Sequence, residues 1–291
     1  MSVGERDPLT GHMTTGHEWN GIKELNTPVP WPVWFFLIAT ALFGIVYWVL
    51  MPAWPTGRSY TKGLLGADAR SAVTEKVKQA QLERSEWTRR IAGLDYAAIQ
   101  ADPQLMQAVR ERGHVLFGDN CAACHGANAK GGPGYPDLAD TDWLWGGTPD
   151  AIAHTIAYGV NSGHPEGRVS QMLAFGRDQI LTNDQVLAVT DYVRSLSDPA
   201  VAKRAARSVA AGKAVFDANC TVCHGDDGRG SQALGAPNLT DKAWIFGGDI
   251  SAIYTSIHNG RQGQMPAWNE RLSDTDRKIL TLYVLDQAVA K

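Results

Sequence analysis

All four cysteines of this 291-residue chain lie in two copies of one pattern, CAACHG at residues 121–126 and CTVCHG at residues 220–225. A structural zinc ion takes four cysteines, or two cysteines and two histidines. Each pair here has one His, directly after its second Cys. A thioredoxin-like redox pair needs βαβ surroundings, and no strand alternation flanks either motif. Cys-x-x-Cys-His is the attachment pattern for a c-type haem. Two thioethers reach the two vinyl positions on one haem edge while the adjacent imidazole swings beneath the iron. On a helical turn this spacing puts all three groups on one face. The reading is two covalently bound haem c groups, held by Cys121 and Cys124 with His125 as axial ligand, and by Cys220 and Cys223 with His224.

The motifs belong to a longer repeat. GHVLFGDNCAACHG starts at Gly113 and GKAVFDANCTVCHG at Gly212, an offset of 99 residues. Pro136-Asp137-Leu138 answers Pro237-Asn238-Leu239, and Trp143-Leu144-Trp145-Gly146-Gly147 answers Trp244-Ile245-Phe246-Gly247-Gly248. Each copy closes with a helical pattern opened by a Thr or Ser cap, LTNDQVLAVTDYVRSL and LSDTDRKILTLYVLDQA. The expected domains are residues 113–198 and 208–291, joined by a short connection around Pro199. Within each, Gly113/Phe117 and Gly212/Phe216 mark a first helix that crosses the last closely, with Tyr192 and Tyr283 filling the contact. The Pro-Asp-Leu and Pro-Asn-Leu turns offer a backbone carbonyl for the ligating imidazole N–H.

The sixth ligand decides the chemistry, because His/Met coordination closes the iron and raises its potential, whereas an open position permits ligand or peroxide chemistry. Met172 in GRVSQMLAFG and Met265 in GRQGQMPAWN precede the last helix of their repeats, and are expected as axial ligands of haem 1 and haem 2 respectively. His154 and His164 are rival ligands for the first haem, and a packed, unligated Met172 is a further alternative. Met13, Met51 and Met106 lie outside the repeats, and His258 reads as surface or haem edge.

Upstream, residues 27–57 carry no charge until Arg58, and the continuous apolar run 32–50 is 19 residues long. At about 1.5 Å per residue it crosses a hydrocarbon core of about 30 Å. Pro30 and Pro32 suit a helix start, Pro52 and Pro55 its end, and Trp31, Trp34, Trp48 and Trp54 suit the two headgroup layers. The run is too long and too far from the start for a signal peptide, so it reads as an uncleaved transmembrane helix over 32–51 after an N-terminal segment, 1–31, which the family resemblance given below places in the cytoplasm. Arg58, Lys62 and Arg70 after the span slightly outnumber Arg6 and Lys23 before it, a bias that weakens for long translocated domains. Residues 52–112 read as a charged, helical linker. The formal net charge of −3 gives no reason to expect a nucleic-acid partner. The first repeat sets four basic residues against ten acidic, Asp137, Asp140 and Asp142 among them, which marks a face for a basic donor protein.

The fold class that results is mainly α: one N-terminal transmembrane helix, a helical linker and two tandem domains that resemble class I cytochrome c. The passage HEWNGIKELNTPVPWPVWFFLIATALFGIVYWVLMPAWP is similar to the anchor of the dihaem subunit III of cbb3-type cytochrome c oxidases, through Gly21, Ile22, Glu24, Asn26, Pro28, Pro30 and Trp31. That resemblance implies an electron relay with no catalytic site of its own. It would take electrons from a donor cytochrome c and pass them, through a monohaem cytochrome subunit, to a catalytic haem–copper subunit. It further implies a single-pass protein of the bacterial inner membrane with both haem domains in the periplasm. The alternatives are a free-standing membrane-anchored dihaem carrier and a dihaem peroxidase.

Overall fold

The computed structural model describes residues 4–289. They form two compact units, one up to Glu83 and one from Arg84 onward.

In the first unit, β1 (Thr14–Trp19) and β2 (Ile22–Leu25) make an antiparallel hairpin with Trp19 opposite Ile22. Its turn residues, Asn20 and Gly21, both have positive φ (53° and 86°), the backbone that a tight two-residue hairpin requires. Helix α1 (Trp31–Leu50) starts after Pro30 with Pro32 in its first turn. It is 20 residues long, with mean hydropathy 2.3 and no buried residue. Its Thr40 hydroxyl donates to Phe36 O at 2.8 Å, so this side chain satisfies itself within the helix, as a hydrocarbon setting demands. At the other end Leu64 and Leu65 N–H groups donate to Val49 O and Leu50 O and cover carbonyls that the helix leaves open.

Helix α2 (Ala69–Gly93) contributes its last turns to the second unit, where Ile91 is fully buried. Then follow α3 (Tyr96–Gln100), α4 (Pro103–Asn120), α5 (Ala122–His125), α6 (Pro149–Tyr158), α7 (Asn183–Ser197), α8 (Pro199–Arg204), α9 (Ala206–Asn219), α10 (Thr221–His224), α11 (Ile250–Asn259) and α12 (Asp274–Val289). The linker expected over 52–112 is too long by some twenty residues. Helix α4 begins at Pro103, ten residues before Gly113, because the Asp102 carboxylate accepts from Gln104 and Leu105 N–H and caps it. Ile91, Ile99, Leu105, Met106 and Val109 lie in the core of the first haem-motif region. Lys278 from α12 donates to Ile91 O, Ala92 O and Leu94 O, which fixes the end of α2 there.

The second unit has two cores, and they are not the two repeats. The first joins Val109, Leu116 and Phe117 of α4 and Ile152 and Ile156 of α6 to Ile279, Leu280, Leu282, Tyr283 and Val284 of α12. The second joins Val186, Val189, Tyr192 and Val193 of α7 to Phe216 of α9 and Ile253 and Ile257 of α11. Each repeat has therefore given its last helix to the other, contrary to the expected self-contained domains 113–198 and 208–291. Both glycine–aromatic crossings form, but between repeats. A Cβ on Gly113 would lie 2.6 Å from Tyr283 Cβ, and one on Gly212 would lie 1.9 Å from Ala188 O. Phe117 meets Tyr283 and Tyr192 meets Phe216, with ring centroids 5.6 and 5.1 Å apart. Arg110 adds a two-pronged ion pair to Asp286 across α4 and α12.

The physical reason is the shortness of the connection. Helices joined by few residues pack as neighbours. Only residues 198–205 separate α7 from α9, so α7 lies on α9 and α12 is left to cover α4. The chain changes sides at two related points. Val160 and Met265 exchange backbone hydrogen bonds (3.0 and 2.9 Å), as do Met172 and Arg261 (2.8 and 3.1 Å). Gly159 and Gly260, which end α6 and α11 at φ near +70°, allow these contacts. A Cβ there would stand 2.2 Å from Met265 O and 2.5 Å from Met172 O. The second core is thus one continuous stretch inserted into the first.

Candidate functional site

Each Cys-x-x-Cys-His motif is a short helical turn continued from a long helix. Cys121 N–H donates to Phe117 O, and the N–H groups of Cys124 and His125 both donate to Cys121 O. Gly126, at φ 74°, ends the turn. Cys220, Cys223, His224 and Gly225 repeat the pattern. Cys121 and Cys220 are half-buried while Cys124 and Cys223 are exposed, and none of the four is in a disulfide.

The imidazoles are oriented alike. His125 Nδ1–H donates to Pro136 O at 3.2 Å and His224 Nδ1–H to Pro237 O at 3.1 Å. A carbonyl can only accept, so the proton sits on Nδ1 and the Nε2 lone pair is left for a metal. Burial lowers both pKa values, against the opposing effect of these bonds, and keeps the rings neutral. The turns that supply these carbonyls are braced in turn. Leu138 N–H donates to Ala129 O and Leu239 N–H to Gly228 O, while Asp137 and Asn238 accept from Ala139 and Thr240 N–H.

The methionines follow the exchanged packing. Met265 packs against the first core, as do Cys121, Ala122, Leu138 and Trp143, and Met172 packs against the second, as do Cys220, Phe175 and Trp244. The expected partnership of Met172 with the first motif and Met265 with the second is reversed in space, because both loops cross at Gly159 and Gly260. His164 is tied down elsewhere, its Nδ1 accepting from Glu166 N–H and its Nε2 lying 3.2 Å from Asn269 Nδ2. His154 lies against Tyr158, with ring centroids 4.9 Å apart. His258 stacks on Tyr254 and bonds Asn259. Trp143 and Trp244 lie against Gly147 and Gly248, whose missing side chains make room for them.

Two thiols on one turn, a neutral imidazole with a free Nε2 and a thioether in the same cluster are the donor set of a haem c. Among the described residues no group of three or more His, Cys, Asp or Glu converges to hold an ion instead. The comparisons agree with this. Residues 11–58 match the family model for the N-terminal domain of cytochrome oxidase-cbb3, FixP; residues 110–197 match cytochrome c; and residues 207–284 match cytochrome c oxidase, cbb3-type, subunit III. Similar proteins include a cbb3-type cytochrome c oxidase subunit FixP of Bradyrhizobium sp., 46% identical over 96% of both chains. The FixP subunit of Azorhizobium caulinodans is 47% identical over 96% of this chain and 94% of that one. A CcoP subunit of Azospirillum sp. is 43% identical over 98% of both. The chain belongs to the FixP/CcoP family of cbb3-type oxidase subunits. As a FixP/CcoP protein it is a haem-binding electron-transport subunit, anchored by α1 and carrying two cytochrome c domains in tandem.

Sequence reasoning missed two residues at these sites. Arg168 lies over Trp145 (4.9 Å to the ring centroid) and Arg261 over Phe246 (4.1 Å). The Gly-Arg-x-x-Gln-Met pattern shared by both loops was the available signal.

Proposed function

We propose that this chain relays electrons from a donor cytochrome c to the catalytic haem–copper subunit of a cbb3-type oxidase, by way of a monohaem cytochrome subunit. Two covalently attached haem c groups supply one-electron exchange at iron. Cys121, Cys124 and His125 hold one and Cys220, Cys223 and His224 the other. The packing supports Met265 as the sixth ligand at the first site and Met172 at the second. Oxygen reduction belongs to another subunit, and this chain's residues hold and insulate its two redox groups. Haem attachment to this motif is periplasmic chemistry, so the unit from Arg84 onward lies on the periplasmic face of the bacterial inner membrane.

The observation that carries the reading is the pair of matching sites, each with an imidazole oriented by a backbone carbonyl and a thioether packed on the same core as the first cysteine of the motif. Mass spectrometry of the denatured chain should show two haem additions. In a chain with Cys220→Ala and Cys223→Ala, Met265→His should lower the potential of the remaining haem and Met172→His should leave it unchanged. The opposite result would return each methionine to its own repeat. Rapid mixing of the assembled oxidase with reduced cytochrome c should show this subunit oxidising the donor before oxygen is consumed.

A further inference from the structure

Two arginines stand in related places, each four residues before a methionine, and neither has an acidic partner. Arg168 donates from Nε to Thr155 Oγ1 (2.8 Å) and from Nη2 to Ala151 O (3.1 Å). Arg261 donates from Nε to Ser256 Oγ (3.0 Å), and Ser256 is the counterpart of Thr155. Both guanidinium groups are half-buried and lie over the aromatic ring of the Trp-x-(Trp/Phe)-Gly-Gly loop. Among the described residues no ion pair includes either one. Desolvation alone lowers the pKa of Arg168, with no carboxylate raising it. A guanidinium has five N–H donors, so each keeps a free edge, and a half-buried cation without a counter-charge is costly.

Their positions tie them to the clefts. Helix α6 brings Ala151 and Thr155 to Arg168 and sends Ile152 and Ile156 into the first core beside Met265. Helix α11 brings Ser256 to Arg261 and sends Ile253 and Ile257 into the second core beside Met172. One loop therefore serves both sites: Arg168 stays with the first while Met172, four residues on, crosses to the second.

We propose that Arg168 and Arg261 are positioning residues for the propionate carboxylates of the haems at the first and second sites respectively. This rests on the haem reading above. The free guanidinium edge accepts a carboxylate in its fork, and the aromatic ring beneath holds the plane. The charge then favours the reduced iron.

The test is redox titration of the full-length holoprotein in detergent, after its haems have been counted by mass. Fewer than two haems in the parent would be a failure of the haem reading, not of this one. Arg168→Gln should lower one of the two midpoint potentials and Arg261→Gln the other. Arg168→Lys, which keeps the charge, should stay at the parental value. No shift in either Gln variant, one haem answering both, or a Lys variant that falls as far as the Gln variant would overturn the assignment. If a Gln variant loses its haem, the Lys variant at that position decides: a parental potential upholds the role, and a lowered potential or a lost haem ends it.

Discussion

Gly212→Ala tests the helix exchange most directly, because the added methyl meets backbone. Its Cβ would stand 1.9 Å from Ala188 O and 2.5 Å from Ala188 C, where ordinary contact begins at 3.4 Å. Helices α7 and α9 must then part by about 1.5 Å, with no rotamer to relieve them, near the top of the roughly 1–3 kcal/mol range for overpacking. Replacing Gly by Ala in a helix interior returns about 1 kcal/mol. The net loss is about 2 kcal/mol, a fall in melting temperature of about 4–8 °C for a unit of this size. Gly113→Ala meets Tyr283 Cβ at 2.6 Å, an overlap of about 0.8 Å against about 1.5 Å, so α4 and α12 must part by less and its loss should be smaller than that of Gly212→Ala. The assay is thermal melting of the holoprotein, followed by Soret circular dichroism and by the absorption band of the iron–thioether bond. The band should weaken at the second site in Gly212→Ala. A Gly212→Ala protein as stable as the parent, or a Gly113→Ala protein that is less stable than Gly212→Ala, would refute the packing of α7 on α9.

Truncation before Trp268 removes α12 and should abolish thioether ligation at the first site while the second keeps its haem spectrum; haem-resolved spectra of the truncated chain check this, and a second site lost first would contradict the nested fold. The Asp102 carboxyl is held below its ordinary value of 3.8 chiefly by backbone N–H bonds, that from Leu105 first. A depressed folded-state pKa means its stabilisation is present above the ordinary value and lost as pH falls through the depressed one. Melts in acid should therefore show a loss that Asp102→Asn, which keeps a capping oxygen, does not share. Asp119 and Asp142 are exposed, whereas Asp137 and Asp140 are half-buried and brace backbone N–H groups in the loop. Charge reversal at Asp119 and Asp142 should slow electron entry from a basic donor cytochrome at low salt, and the deficit should shrink as salt rises over a Debye length of about 8–10 Å. Equal rates at low ionic strength would put the docking face elsewhere.

The haem motifs, the bracing carbonyls and the membrane helix were legible because each is local. Residues 121–125 and 136 are close in sequence, and hydropathy alone delimits α1 to within one residue. The start of α4 was hidden because charged residues around Arg90 masked the apolar spacing of Ile91, Ile99 and Leu105. The exchange of last helices was hidden for a deeper reason. Gly113 and Gly212 are equivalent, as are Tyr192 and Tyr283, so either pairing satisfies the pattern equally. Only the length of the connection 198–205 separates them, and that is a property of the chain path rather than of any residue.

The nested path also sets an order of manufacture. Residues leave the ribosome from the N-terminus, so the first Cys-x-x-Cys-His is made about a hundred residues before the second. Yet the helix that closes over it, α12, is made only after every residue of the second core. Closing the larger loop costs more chain entropy, and contacts of long sequence separation form slowly. The first motif to be synthesised is therefore the last to be sealed, and stays open until α12 docks.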